Sequence, residues 1–161
     1  MPVKPLLLAA TLALAGLVAS SCGGGGGEKP LSKSDYEAQI GATLRPLQER
    51  TLRGVLTASP ASPDEAVRRL KTAETTLHDD AEKLAEMKPP ADAAGPTAQI
   101  ADGIEQVADQ VTAARKEAEH GNFARLEQLK AQIGADPAVA RVRDAIVRLV
   151  NLDYDVAGSG P

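Results

Sequence analysis

The stretch "IADGIEQVADQVTAARKEA", residues 100–118, carries the most regular hydrophobic pattern in the chain. Its apolar residues return after alternating steps of four and three, at Ile100, Ile104, Val107, Val111, Ala114 and Ala118. This spacing places one apolar stripe along one side of an α-helix, where it is buried against other helices. The stretch therefore predicts a long helix, beginning near Gly95 and Pro96, that packs within a bundle.

Two helical segments precede it. The first runs from about 34 to 58, with Ser32 or Ser34 as its N-cap, and Pro46 is expected to kink it, with a break as the alternative. Its apolar face is formed by Ile40, Leu44, Leu47, Val55 and Leu56. The second has a strong start signal, because Ser62, Pro63 and Glu65 form a capping box with proline at the first helical position. Its stripe, which ends before Pro89 and Pro90, is Val67, Leu70, Leu77, Ala81, Leu84 and Met87.

The last segment is interrupted. It opens with Phe123, Leu126, Leu129 and Ile133, pauses at "GADP" (134–137), and restarts with Asp136 as N-cap and Pro137 as first residue. It is either one kinked helix or two helices split near Asp136. Its second half has an apolar stripe of Val139, Val142, Ile146, Leu149 and Val150.

Together these patterns predict an all-α fold, an up-and-down antiparallel bundle of four long helices. Short proline- or glycine-containing turns make neighbouring helices antiparallel, and each stripe must be buried. Aromatic residues make up only 2% of the chain and tryptophan is absent. We therefore expect close packing, little interior space and no cofactor. The scarcity of stacking side chains also argues against a nucleic-acid partner.

Charge is unevenly distributed. The chain has a net charge of -4, and residues 90–120 contain six acidic but only two basic residues. Asp102, Glu105 and Asp109 form an outward row on the third helix. Such a row is either solvated surface or a docking site for a basic partner. A negatively charged domain is not attracted to an anionic membrane surface, so its surface charge cannot attach it to the membrane and a separate anchor would be needed.

Sequence motifs for catalysis are absent: there is no Ser-x-x-Lys, Gly-x-Ser-x-Gly or His-Glu-x-x-His. Glu117 and His120 form one Glu-x-x-His pair, whereas a di-iron bundle needs two that point inward. Glu74, His78 and Glu82 follow one another at steps of four on one helix face, which we expect to be solvated. The sequence thus predicts a non-enzymatic protein without a metal site.

The N-terminus has the parts of a secretory signal, with Lys4 followed by an apolar run from 6 to 18. That run is shorter than the roughly 20 residues of a membrane-spanning helix. The only cysteine, Cys22, follows the small residues Ala19, Ser20 and Ser21. An alternative is ordinary secretory cleavage after "ALA" (13–15), which would leave Cys22 as a free thiol.

The Ala19–Cys22 sequence resembles the lipobox of bacterial lipoproteins, although Ala19 stands where leucine is usual. That resemblance implies a diacylglycerol-modified Cys22 and cleavage just before it. Gly23–Gly27 would then be a flexible tether. With "LSKSDYEAQI" (31–40) and "MKPPADAA" (87–94), the chain resembles short alanine-rich helical lipoproteins of high-GC Gram-positive bacteria.

These observations predict a signal peptide at 1–21, a lipidated cysteine and tether at 22–31, a helical bundle at 32–154 and a disordered tail at 155–161. The resemblance implies an extracytoplasmic protein that is held to the membrane by its lipid, and since such lipoproteins are mostly uncharacterised, it implies no particular activity. We expect a non-enzymatic, membrane-tethered helical module that binds another envelope protein or a cell-wall component. The alternative is a small-ligand or metal-binding lipoprotein that feeds a transporter.

Overall fold

The computed structural model describes residues 29–47 and 62–156, and it is all-α, which confirms the predicted fold class. The helices are α1 (Lys33–Pro46), α2 (Pro63–Glu86), α3 (Ala94–Glu119), α4 (Ala124–Gln132) and α5 (Pro137–Asn151). A short 3₁₀ turn, Ile133–Ala135, separates α4 from α5. In the described ranges, no helix is both long enough and apolar enough to cross a membrane.

Local capping explains where the helices begin. Ser32 caps α1, Ser62 caps α2 and Asp136 caps α5, each by accepting a backbone N–H of the first turn through its side-chain oxygen. Asp136 begins a separate helix, so the last predicted segment consists of two helices rather than one kinked helix. The part of the first predicted helix beyond Leu47 lies outside the described residues, so the kink at Pro46 stays a prediction.

Helix α3 is the central element. It packs along α2 on one side and against α4 and α5 on the other. The predicted stripe residues are all buried, namely Ile100, Ile104, Val107, Val111, Ala114 and Ala118. A second set that the stripe did not include is buried as well: Thr97, Ala101, Gly103 and Ala108. Because α3 is covered from two sides, it has two buried faces.

Helices α3 and α5 approach each other closely at Gly103. A Cβ atom built at Gly103 would lie 2.4 Å from Val142 Cγ2 and 3.1 Å from the Ala138 carbonyl oxygen. Ala138, Ala145 and Leu149 are the buried residues of α5. The prediction that Val150 belongs to the buried stripe of α5 is wrong, because Val150 is 54% exposed. Small residues allow the two backbones to approach. Helix α5 is rotated about its axis so that Ala138 and Ala145, rather than Val150, face α3.

A tyrosine pair joins the two ends of the described chain. The rings of Tyr36 and Tyr154 pack edge to face with centroids 5.2 Å apart. Thr97 donates to the Ala93 carbonyl, so the Tyr36 hydroxyl donates to Thr97 Oγ1 at 2.7 Å. The Tyr154 hydroxyl donates to Asp92 Oδ1 at 2.8 Å.

The packed chain is longer at both ends than the predicted 32–154 domain. Leu31 donates its backbone N–H to the Lys88 carbonyl oxygen at 2.8 Å and packs against the core. Asp155 donates its N–H to Glu37, and Val156 is buried. Residues 155 and 156 thus belong to the bundle rather than to the predicted tail, whose remaining residues lie outside the described ranges.

We expect Gly103→Ala to lower the free energy of unfolding by up to about 2 kcal/mol. The higher helix propensity of alanine contributes about 1 kcal/mol, but the new methyl group must displace Val142 and the α5 backbone, and such overpacking costs roughly 1–3 kcal/mol. Gly134→Ala is the control, because nothing lies within 4 Å of the place that its Cβ atom would occupy. Urea unfolding of both variants measures the difference, and equal midpoints would contradict the close approach.

Burial raises the pKa of Tyr154 to about 12, with the adjacent Asp92 carboxylate adding to the effect. An unfolded tyrosine ionises near pH 10, so this contribution to stability is complete below about pH 10 and is lost as the pH rises to about 12. We expect Tyr154→Phe to be less stable at pH 8, because the Asp92 hydrogen bond is lost, but to decline less steeply between pH 10 and 12. Urea midpoints across this window measure both slopes, and parallel slopes would contradict the assignment.

Candidate functional site

Polar side chains of α2 and α3 meet along one edge of their interface. Glu74 and His78 lie one turn apart on α2, and Glu105, Asp109 and Thr112 follow at steps of four and three on α3. Residues at these spacings lie on the same side of their helix. Because the two helices pack along their length, the two rows face each other.

One end of this edge is an ion-pair network. Arg115 donates to Glu74 through Nε and to Glu119 through Nη1, the latter at 2.6 Å. The Arg115 and Glu74 side chains are only 16% and 18% exposed. The Arg115 hydrogen bond lowers the pKa of Glu74, and the bond from Thr112 acts in the same direction. Glu74 is therefore held as a carboxylate and can only accept hydrogen bonds.

The middle of the edge is occupied by His78. Its Nδ1 lies 3.0 and 3.1 Å from the two carboxylate oxygens of Glu105. Its Nε2 lies 3.5 Å from Thr112 Oγ1, and Thr112 in turn donates to Glu74 at 2.9 Å. The imidazole nitrogen, a Glu105 oxygen and an Asp109 oxygen form a group whose atoms all lie within 4.8 Å of one another.

Beyond His78 the interface opens into two adjoining depressions. One, of about 420 Å³, is lined by His78, Ala81, Glu82, Ala85, Ala101, Asp102 and Glu105. The other, of about 290 Å³, continues toward the α2–α3 link and shares Ala85, Ala101 and Asp102 with the first. We call the two together the α2–α3 groove. Its floor is formed by alanines and its rim by carboxylates.

The sequence-based candidates have different positions. Asp102, Glu105 and Asp109 are exposed, as expected, but Glu105 also reaches across to α2. Glu117 and His120 are exposed, and His120 Nδ1 bonds to the Lys116 carbonyl of its own helix at 2.7 Å. The lipidation candidate Cys22 lies outside the described residues.

The face formed by Glu74, His78 and Glu82 differs from the solvated surface expected from the sequence. Glu74 and His78 contact α3, and only Glu82 is fully at the surface. Spacing along α2 could not reveal this arrangement, because the partners lie 27 to 41 residues away on α3. One signal in the sequence could have indicated this contact: acidic residues and a threonine lie along one side of α3, and α2 contains one histidine that could face them.

Comparison with known proteins adds no assignment. No protein-family model matches the chain, and searches of curated proteins and of solved structures found no match either. The site must therefore be interpreted from its own chemistry.

Proposed function

We propose that this protein is a lipid-anchored, non-enzymatic helical module of the cell envelope that binds the basic segment of a partner protein in the α2–α3 groove. The anchoring is supported by the sequence of residues 1–22, in which small residues precede the only cysteine. The binding is supported by the groove.

The observation that carries the binding proposal is the acidic rim of an open groove. Glu82 and Asp102 are exposed, and no ion pair links either of them to a cation among the described residues. Their charge is therefore available to a partner, while the alanine floor offers a shallow apolar surface. Charge complementarity of this kind accelerates association and excludes acidic partners.

The shape of the groove also favours a segment of protein chain over a small molecule. Sites for small ligands are concave and bury most of the ligand surface. The α2–α3 groove instead extends along two helices through two adjoining depressions and is open to solvent. A lysine- or arginine-rich segment lying along it would meet Asp102 and Glu82 across the alanine floor.

We expect Cys22→Ser to prevent anchoring, because serine cannot form the thioether to the lipid. The wild type should incorporate radiolabelled palmitate and fractionate with membranes, whereas Cys22→Ser should do neither. The conservative control is Ser21→Ala, which keeps a small residue before the cysteine. Equal labelling of wild type and Cys22→Ser would contradict lipidation at this residue.

The groove is tested by site-specific photo-crosslinking from intact membranes. A photoreactive residue at Ala85, on the groove, should crosslink a partner through a basic segment, whereas the same residue at Ala140, exposed on α5, should not. The double variant Glu82→Gln with Asp102→Asn should reduce the Ala85 crosslink at least about tenfold, and rising salt should reduce it in wild type.

The matched control for that double variant is Glu86→Gln with Asp144→Asn, which removes the same charge outside the groove lining. A crosslink that survives neutralisation of the groove, or one that is equally strong from Ala140, would contradict groove binding. Because crosslinking and palmitate labelling are separate measurements, either half of the proposal can fail alone.

A further inference from the structure

The two ring nitrogens of His78 face different partners. Nδ1 faces the Glu105 carboxylate, and Nε2 lies 3.5 Å from Thr112 Oγ1. Thr112 donates its single hydroxyl proton to Glu74, so its oxygen can only accept on the side of His78. Nδ1 is therefore the nitrogen that is placed to share a bound cation with the carboxylates.

Nδ1 of His78 lies 3.0 Å from a Glu105 carboxylate oxygen, and either a proton on Nδ1 or a metal ion can bridge the two atoms. When a metal ion takes the place of that proton, the remaining ring proton is carried by Nε2, on the side of Thr112.

Asp109 distinguishes a metal site from a simple His–Glu pair. It contributes a third ligand atom, so that an imidazole nitrogen and two carboxylate oxygens, drawn from two helices, lie within 4.8 Å of one another. Ligand atoms around a tetrahedral zinc ion, with bonds of about 2.0–2.2 Å, lie roughly 3–3.5 Å apart. To reach that spacing, the exposed Glu105 and Asp109 side chains would have to rotate toward His78.

We propose that His78 Nδ1, Glu105 and Asp109 form a binding site for a divalent transition-metal ion that bridges α2 and α3. The mixed donor set indicates the class of ion, because imidazole nitrogen favours Zn²⁺, Cu²⁺ and Ni²⁺, whereas Ca²⁺ and Mg²⁺ favour all-oxygen sites. Water completes the coordination on the solvent side. Thr112 and Glu74 form the outer shell, which orients the imidazole ring as outer partners do in known metal sites.

The proposal is tested with Zn²⁺ and the full chain purified in detergent. Calorimetric titration should show one saturable site, and His78→Ala should weaken binding more than about 100-fold, beyond the 10- to 100-fold typical of losing an outer-shell partner. Thr112→Val, which removes the acceptor for Nε2–H, should weaken it about tenfold. His120→Ala is the matched control, since His120 is the only other histidine and bonds within its own helix.

The carboxylate ligand and the cysteine have their own controls. Asp109→Asn should weaken Zn²⁺ binding, whereas Asp144→Asn, the same change at an exposed position of α5, should not. Cys22→Ser should leave the affinity unchanged, because the cysteine is not part of the site. Circular dichroism shows whether each variant keeps the wild-type helicity.

Nitrogen NMR of the two imidazole rings gives a readout that does not depend on affinity. Zn²⁺ should shift the His78 Nδ1 resonance and leave its Nε2 protonated, while His120 and a Mg²⁺ titration show no such change. The proposal is overturned if there is no saturable Zn²⁺ site, if binding survives His78→Ala in a folded variant, or if it disappears in Cys22→Ser. These outcomes are independent of groove crosslinking and of palmitate labelling.

Discussion

The packing of α3 between α2 and α5 is the constraint on which the rest of the structure depends. A helix covered from two sides needs small residues where its neighbours approach, and α3 supplies Gly103, Ala101, Ala108 and Ala114 there. The helices then lie close together, and a core with few aromatic rings can still be densely filled. Long polar side chains cannot enter this interface, so they are displaced to its edges, where Glu74, His78 and Arg115 of the neighbouring helices meet.

The sequence predicts those parts of the fold that depend on one helix at a time. The stripe from Ile100 to Ala118 and the caps at Ser62 and Asp136 are local signals, and the structure confirms them. The second buried face of α3 was missed because alanine and glycine contribute little hydrophobic contrast. The orientation of α5 was missed for a related reason: Val150 fits a helical stripe, but close approach to Gly103 brings Ala138 and Ala145 inward instead.

The candidate site was less predictable than the fold, because it depends on register between helices. The acidic row and the histidine were both visible, but periodicity relates only residues of the same helix. The contact between His78 and Glu105 follows from how far α2 and α3 are offset along their shared interface. His78 and Glu105 also line the groove, so a cation bound there would reduce the negative charge presented to a basic partner, and the two proposed events would oppose each other.

The contact between Tyr36 and Tyr154, near the two ends of the described part of the chain, has a mechanical consequence. The N-terminal side of the bundle, the start of α3 and the residues after α5 all meet there, while the far end of the 26-residue α3 lies about 39 Å away. In the lipid-anchored protein proposed above, tension from the anchor at Cys22 would therefore act on this end of the bundle. The Leu31–Lys88 hydrogen bond and the aromatic contact would bear the first load. The opposite end of the bundle, which contains the turn at Gly121, would not bear that load.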